Sequence, residues 1–300
     1  MWREPAAATV FCQQLKYRHS FHAGNFADVH KHVALLALLT ALKKKDKGFL
    51  YLDTHAGRGS YDLSSPSAEA AGGVGRFLQA THSAAELCEY ATLLAQFRAA
   101  PGHAHRYPGS PLIAAGTLRP QDRAVLIELQ GPEAHALEGA LAPLAAHHRH
   151  GPNVRVERGD GFARMRALLP PPERRALTFI DPPYEQTQQD FSGLTAALAD
   201  DLRRFPTGVF AAWYPIKDER TTHGWHAACA RALSAKLLVS ELWLYPRDSR
   251  VALNGSGLLI VNPPWLILER MQAWLPQLQA CLAVGPGGGS RAAMLSKSAA

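Results

Sequence analysis

"LTFIDPPYEQ", residues 177–186, is an apolar run that stops on an acid, two prolines and an aromatic ring in consecutive positions. A strand end needs only a structural reason to carry one such residue. Asp181, Pro182, Pro183 and Tyr184 in a row ask for a chemical one. Outward from this stretch, "FLYLDTHAGRG", "RAVLIELQ", "NVRVERGDGF" and "TGVFAAWYP" are further strand-like runs, each followed by a helical or loop stretch. That alternation predicts a mostly parallel α/β sheet. "KLLVSELWLY" and "SGLLIVNPPW" have only Pro246 to Gly255 between them and are expected to pair antiparallel, closing the sheet with an antiparallel last strand. A helix near 266–283 follows, and the Gly- and Ser-rich residues 285–300 read as a flexible tail.

Ahead of the first strand, "HAGNFADVHKHVALLALLTALKKKDKG" reads as a helix. Asn25 is its expected N-cap, with Asp28 as capping-box partner three positions on. Lys43, Lys44, Lys45 and Lys47 then fall on the negative end of the helix dipole, with Gly48 as the stop. Residues 60–106 are rich in Ala, Leu, Glu and Gln with few β-branched residues, and are expected to be an inserted helical subdomain. No internal repeat is evident.

Three hundred residues, 47% of them apolar, give ample material for a core, and no apolar window is long enough to span a membrane. The N-terminus lacks the basic start, apolar block and cleavage site of a signal peptide. Cys12, Cys88, Cys229 and Cys281 are scattered, which fits a reducing cytoplasm and argues against disulfides or a cysteine zinc site. The net charge of +7 and a pI near 9.4 suggest a polyanion as partner. Between Lys16 and Lys47 seven Lys or Arg face only Asp28 and Asp46, although a solvated helix end would show the same run.

Ligands of open α/β sheets bind beyond the carboxyl ends of the strands. That rule selects Asp53 to Gly59, Glu128, Asp160 with Gly161, and Asp181 to Tyr184. Gly57 and Gly59 would let backbone approach a ligand. Glu128 can accept from both hydroxyls of a ribose, and Asp160 with Gly161 can receive an adenine amino group.

This succession resembles the class I S-adenosylmethionine-dependent methyltransferases, and "DPPY" is similar to the signature of those that methylate amino groups. In order, "YRHSFHAGNFADVHKH", "FLYLDTHAG", "YPGSPLIA", "DGF", "IDPPYE" and "WYP" resemble the bacterial 23S ribosomal RNA adenine-N6 methyltransferases of the J type, from about Tyr17 to Trp265. The resemblance implies a Rossmann-like methyltransferase domain at 17–59 and 107–284, interrupted by the insertion at 60–106. It places cofactor contacts on His32, His55, Ser110, Glu128, Asp160 and Gly161, the catalytic acid on Asp181, and a substrate-facing tyrosine on Tyr17. From the residues themselves, Pro182 and Tyr184 are expected to meet the substrate base, and Lys31, beside the cofactor helix residue His32, is either a phosphate or base contact or a solvated helix residue. The resemblance further implies S-adenosyl-L-methionine as cofactor, S-adenosyl-L-homocysteine as product, no metal, 23S ribosomal RNA as partner, and a cytoplasmic monomer. Glu128 departs from the general class, whose ribose-binding acid follows the glycine turn by about 20 residues; the insertion explains the delay. Residues 1–16 extend beyond the family's start, as a misassigned start or as a disordered arm close to Tyr17.

The chemistry explains the opening stretch. Adenine N6 is a poor nucleophile because its lone pair is delocalised into the ring. A carboxylate and a carbonyl accepting its two N–H groups would turn that lone pair toward the methyl donor and stabilise the charge that develops. Two prolines stiffen the turn, and Tyr184 offers a face for an unstacked base. "VNPPW", Asn262 to Trp265, fits the loose signature too, but is expected to be a structural turn at the sheet edge. "HSFHAGNFADVHKH" and "HHRH" suggest a metal only superficially. DNA adenine methylation and a non-catalytic nucleic-acid-binding module are the rival readings. Glutamine methylation would favour Asn over Asp181, and a dinucleotide oxidoreductase would need a G-x-G-x-x-G that "HAGRGSYDL" lacks.

Overall fold

In a computed structural model describing residues 22–147, 151–184, 187–247, 249, 251 and 253–296, the apolar runs form ten strands. These are β1 (Leu50–Asp53), β2 (Ser60–Asp62), β3 (Arg106–Pro108), β4 (Arg123–Glu128), β5 (Asn153–Arg158), β6 (Ala176–Ile180), β7 (Val209–Ile216), β8 (Leu237–Trp243), β9 (Gly255–Val261) and β10 (Gly289–Met294). Eight make one sheet in the order β10-β8-β9-β7-β6-β1-β4-β5. The five strands from β7 to β5 are mutually parallel, and β9 runs antiparallel between β7 and β8. Both sheet faces are covered. Tyr51, Leu126 and Phe179 point into one apolar layer, and Leu52, Val125 and Ile180 into the other. A sheet buried on both sides needs unbroken apolar runs rather than alternation.

Ten α-helices are present among the described residues: α1 (Phe26–Lys43), α2 (Ala68–Ala70), α3 (Arg76–Gln79), α4 (Ala85–Ala99), α5 (Ser110–Ala115), α6 (Gly131–His147), α7 (Gly161–Leu168), α8 (Thr187–Arg204), α9 (Glu219–Ala232) and α10 (Ile267–Leu282). α1 is buried nearly all round, because the insertion, α10 and the sheet enclose it. His30 fastens it to the sheet: one ring nitrogen lies 2.9 Å from Ser256 Oγ and the other 2.9 Å from Ser240 Oγ. Burial pushes that imidazole down to about 3, so it stays neutral in the fold.

Several expectations need correction. The capping box is offset: Asn25 Oδ1 accepts from Asp28 N at 2.9 Å, but Asp28 Oδ2 accepts from Gly24 N, not Asn25 N. Gly48 does not stop α1, which ends at Lys43 with Lys44 as C-cap. Its role is steric, since a Cβ there would stand 2.2 Å from the Gln121 carbonyl oxygen. Residues 60–106 are largely helical, through α2 to α4 with a π-helical turn at Ala71–Gly75, but they also supply β2 and the start of β3, which pair antiparallel. The expected flexible tail contains β10, which pairs with β8 from Gly289↔Trp243 to Met294↔Leu238. Without it β8 would expose an open edge, and pairing that edge outweighs the poor strand propensity of "GSRAAM".

The Asn262 turn is structural but not at an edge. β9 lies inside the sheet and, being antiparallel, delivers Asn262 to the end opposite the carboxyl ends of the parallel strands. Asn262 adopts φ 52°, and its side-chain amide donates to Pro206 O and Gly208 O, both at 2.8 Å. Asn262→Ala removes two hydrogen bonds and places an ordinary side chain at positive φ, costing about 2 kcal/mol. The expected result is a melting temperature lowered by several degrees with methyl transfer within a few-fold of wild type. A folded but inactive Asn262→Ala protein would contradict this.

Candidate active site

The carboxyl ends of β1, β4, β6 and β7 open into one cleft of about 1090 Å³, closed on one side by the start of α1. Every described residue nominated from the sequence lines it: Lys31 and His32 from α1, His55 after β1, Ser110 of α5, Glu128 of β4, Asp160 and Gly161 at the start of α7, and Asp181, Pro182 and Tyr184 after β6. Tyr17 lies outside the described residues.

One half of the cleft is built from acids and close backbone. Glu128 is 8% exposed and fixed by two amides, Gly57 N on Oε2 at 2.9 Å and Gln130 N on Oε1 at 2.7 Å. Burial raises its pKa, and those two donors oppose the rise. Asp160 caps α7 through Ala163 N at 2.8 Å. Next to it, a Cβ on Gly161 would stand 2.2 Å from the Thr54 carbonyl oxygen, so glycine alone lets α7 meet the end of β1. The His55 ring lies edge-on to Phe162 with Nδ1 2.8 Å from Thr54 Oγ1, and burial pushes it down to about 4.

The other half centres on Asp181. Lys31 Nζ lies 2.6 Å from Asp181 Oδ2 and 2.6 Å from Asp28 Oδ1, and 5.5 Å from the centre of the Trp213 ring. The ammonium therefore orients the Asp181 carboxylate, whose Oδ1 takes no hydrogen bond from the described residues. Lys31 is turned inward between the two carboxylates. Tyr184 donates to Trp213 O at 2.5 Å, and its ring meets Phe191 and Trp213 edge-on.

Some nominated residues are held by partners the sequence did not reveal. Ser110 Oγ donates to Asp53 Oδ2 at 2.7 Å, and Tyr51 OH donates to the same oxygen at 2.8 Å. Asp53 is fully buried, and burial pushes it up to about 6 against those donors. Its position after "LYL" marked the strand end, but nothing local marked it as the anchor of Ser110. His32 Nδ1 lies 2.8 Å from Tyr107 OH, which lies 2.9 Å from Tyr90 OH, so β3 and α4 support the α1 wall of the cleft. Among the described residues, no group of three or more His, Cys, Asp or Glu is arranged to hold a metal ion. No helix there is long and apolar enough to cross a membrane.

A mostly parallel sheet in which β9 runs antiparallel between β7 and β8, acids at successive strand ends, and an Asp-Pro-Pro-Tyr turn facing them define a Rossmann-like class I methyltransferase. The chain belongs to the family described as ribosomal RNA large subunit methyltransferase D, RlmJ, whose model matches residues 46–294. That match takes in β10, beyond the Trp265 at which the sequence resemblance ends. The chain is 41% identical over 276 residues to ribosomal RNA large subunit methyltransferase J of Escherichia coli strain K12, covering 89% of this chain and 94% of that one. It is 39% identical over 284 residues to the Haemophilus influenzae protein of the same name, covering 92% and 96%. The crystal structure of a Legionella pneumophila protein superposes with a TM-score of 0.80 at 35% identity, covering 92% of this chain and 99% of that one.

Proposed function

We propose that this chain transfers a methyl group from S-adenosyl-L-methionine to N6 of an adenine in 23S ribosomal RNA, acting as a monomer in the cytoplasm without a metal. The observation that carries the reading is the shared cleft: the Asp181–Tyr184 turn faces the Glu128 and Asp160 strand ends across one cavity. The donor set fits the cofactor. Glu128, held by two amides, suits a ribose diol; Asp160 and the Gly161 backbone suit an adenine edge; and His32, His55 and the Asp53-anchored Ser110 line the remaining wall. When bound, the cofactor supplies an electrophilic methyl group on a sulfonium.

The protein's share of the chemistry is to aim N6. Asp181 Oδ1 and the Pro182 carbonyl accept its two N–H groups, which turns the nitrogen lone pair toward the methyl carbon. As the methyl group's bond to sulfur gives way to a bond to N6, leaving S-adenosyl-L-homocysteine, positive charge would grow on that nitrogen, and a carboxylate already oriented by Lys31 would stabilise it without reorganising. Asp181 then takes the N6 proton and passes it to solvent. Tyr184, anchored on Trp213, presents a fixed face to the extruded base.

The test is methylation of transcribed 23S rRNA beside duplex DNA under matched conditions, with the product nucleoside mapped by mass. N6-methyladenosine in the RNA alone is expected. Equal methylation of the DNA would favour the DNA reading and sink this one.

A further inference from the structure

The lysine run at the end of α1 has a simple explanation as a helix cap, and the structure removes it. The carbonyls at that helix end are served by side chains from other loops. Arg119 donates to Lys43 O at 3.1 Å and Lys45 O at 3.0 Å, Arg175 to Leu42 O at 2.7 Å, and Gln121 to Asp46 O at 3.2 Å. Lys43 turns back onto Thr117 O at 3.0 Å. Lys44, Lys45 and Lys47 are exposed, and among the described residues none makes an ion pair. Asp122 is committed to Arg119, and Glu173 to Arg123. Asp46 is the exposed acid within the run. Arg174, beside the Arg175 that reaches this turn, is exposed at φ 57° and adds a further cation.

Four exposed cations gathered with one acid make a positive patch that favours a polyanion lying across it. Their place decides which part of it. β1 and β6 begin at Leu50 and Ala176, directly after these residues, so the cations mark the amino ends of the parallel strands. The cleft is at the carboxyl ends, about 15 Å of strand away at roughly 3.3 Å per residue. No side chain on this turn reaches a phosphate next to a base held at Asp181.

We propose that Lys44, Lys45, Lys47 and Arg174 form a second RNA-binding face, remote from the cleft, that grips the phosphate backbone of a segment distant in the folded RNA from the target adenine. This rests on the RNA reading above. Exposed cations that meet phosphates read charge and not sequence. The face adds affinity only when the RNA is long enough to reach both ends of the sheet, as a second attachment point does.

The experiment compares wild type with a Lys44→Ala, Lys45→Ala, Lys47→Ala triple variant, each confirmed folded by its thermal melt. Binding and methylation are measured on full-length 23S transcript and on a short hairpin carrying the mapped adenine, across a salt series. The triple variant should lose about tenfold or more in affinity for the long RNA, with its log–log salt slope shallower by about two to three. Hairpin affinity and turnover should not change. Adding Arg174→Ala should deepen the loss on the long RNA alone. Equal weakening on both RNAs, or no weakening on either, overturns the proposal. So does retained RNA affinity combined with lost binding to phosphatidylserine vesicles, which would make this a membrane face. If wild type methylates neither RNA, the substrate reading itself has failed, a result distinguishable from an active enzyme with an indifferent lysine turn.

Discussion

Asp181→Asn should lower single-turnover methylation of an rRNA fragment by about 10²-fold or more, the scale seen when one preorganised electrostatic group is removed from a transition state. Asparagine keeps the shape of the turn but loses the charge that meets the developing cation on N6 and the base that receives its proton. Affinity for S-adenosyl-L-methionine should change little, because the carboxylate faces the nucleobase half of the cleft. Lys31 retains Asp28 at 2.6 Å in this variant, so the ammonium does not become a lone buried charge. Asp181→Ala should behave alike, with an added loss of thermal stability. Methylation by Asp181→Asn within a few-fold of wild type would remove Asp181 from its assigned role.

Glu128→Ala should raise the dissociation constant for S-adenosyl-L-methionine by about two orders of magnitude, since hydrogen bonds to a charged group contribute roughly 1.5–3 kcal/mol each. Two effects combine. The ribose hydroxyls lose their acceptor, and the Gly57 and Gln130 amides that Glu128 satisfies are left open, which loosens the glycine turn. Glu128→Gln should sit between the two, because it keeps one acceptor oxygen. Calorimetry on chelator-treated protein measures this, with turnover at saturating cofactor as the control. An unchanged dissociation constant would show that the cofactor's sugar lies elsewhere.

Much of the sheet was legible because burial on both faces writes itself into the chain as continuous apolar runs, and "LTFI" and "LLIV" could be little else. The site was legible for a related reason. Chemistry at strand ends leaves acids and glycines where solvent would accept any residue, and Glu128, Asp160, Gly161 and Asp181 all stood at such ends. What stayed hidden was decided by neighbours far along the chain. β10 is a strand because β8 offers it an edge. The β2–β3 ribbon has three residues on each side, too few for any periodicity to register. Asp53 holds Ser110, and Tyr107 holds His32, through contacts that no spacing encodes. Trp213 sat in the quoted "WYP", but its place beneath Lys31 and Tyr184 depends on how β7 lies against β6.

The pairing pattern of α1 and β1 also bears on how the chain is made. Synthesis delivers this helix and strand first, yet Leu50 waits for Arg123 and Ala176 to pair with, and His30 waits for Ser240 and Ser256. Contacts so distant in sequence must close large loops before they return any stability, which slows folding. The segments of α4 and α5, made soon after, can cover part of this buried helix, but its sheet-facing side leaves the ribosome bare until β9 and α10 have followed. Once folded, the same helix is locked through His30 by β8 and β9, so a chain cut short before them lacks part of the cover for the wall that carries Lys31 and His32.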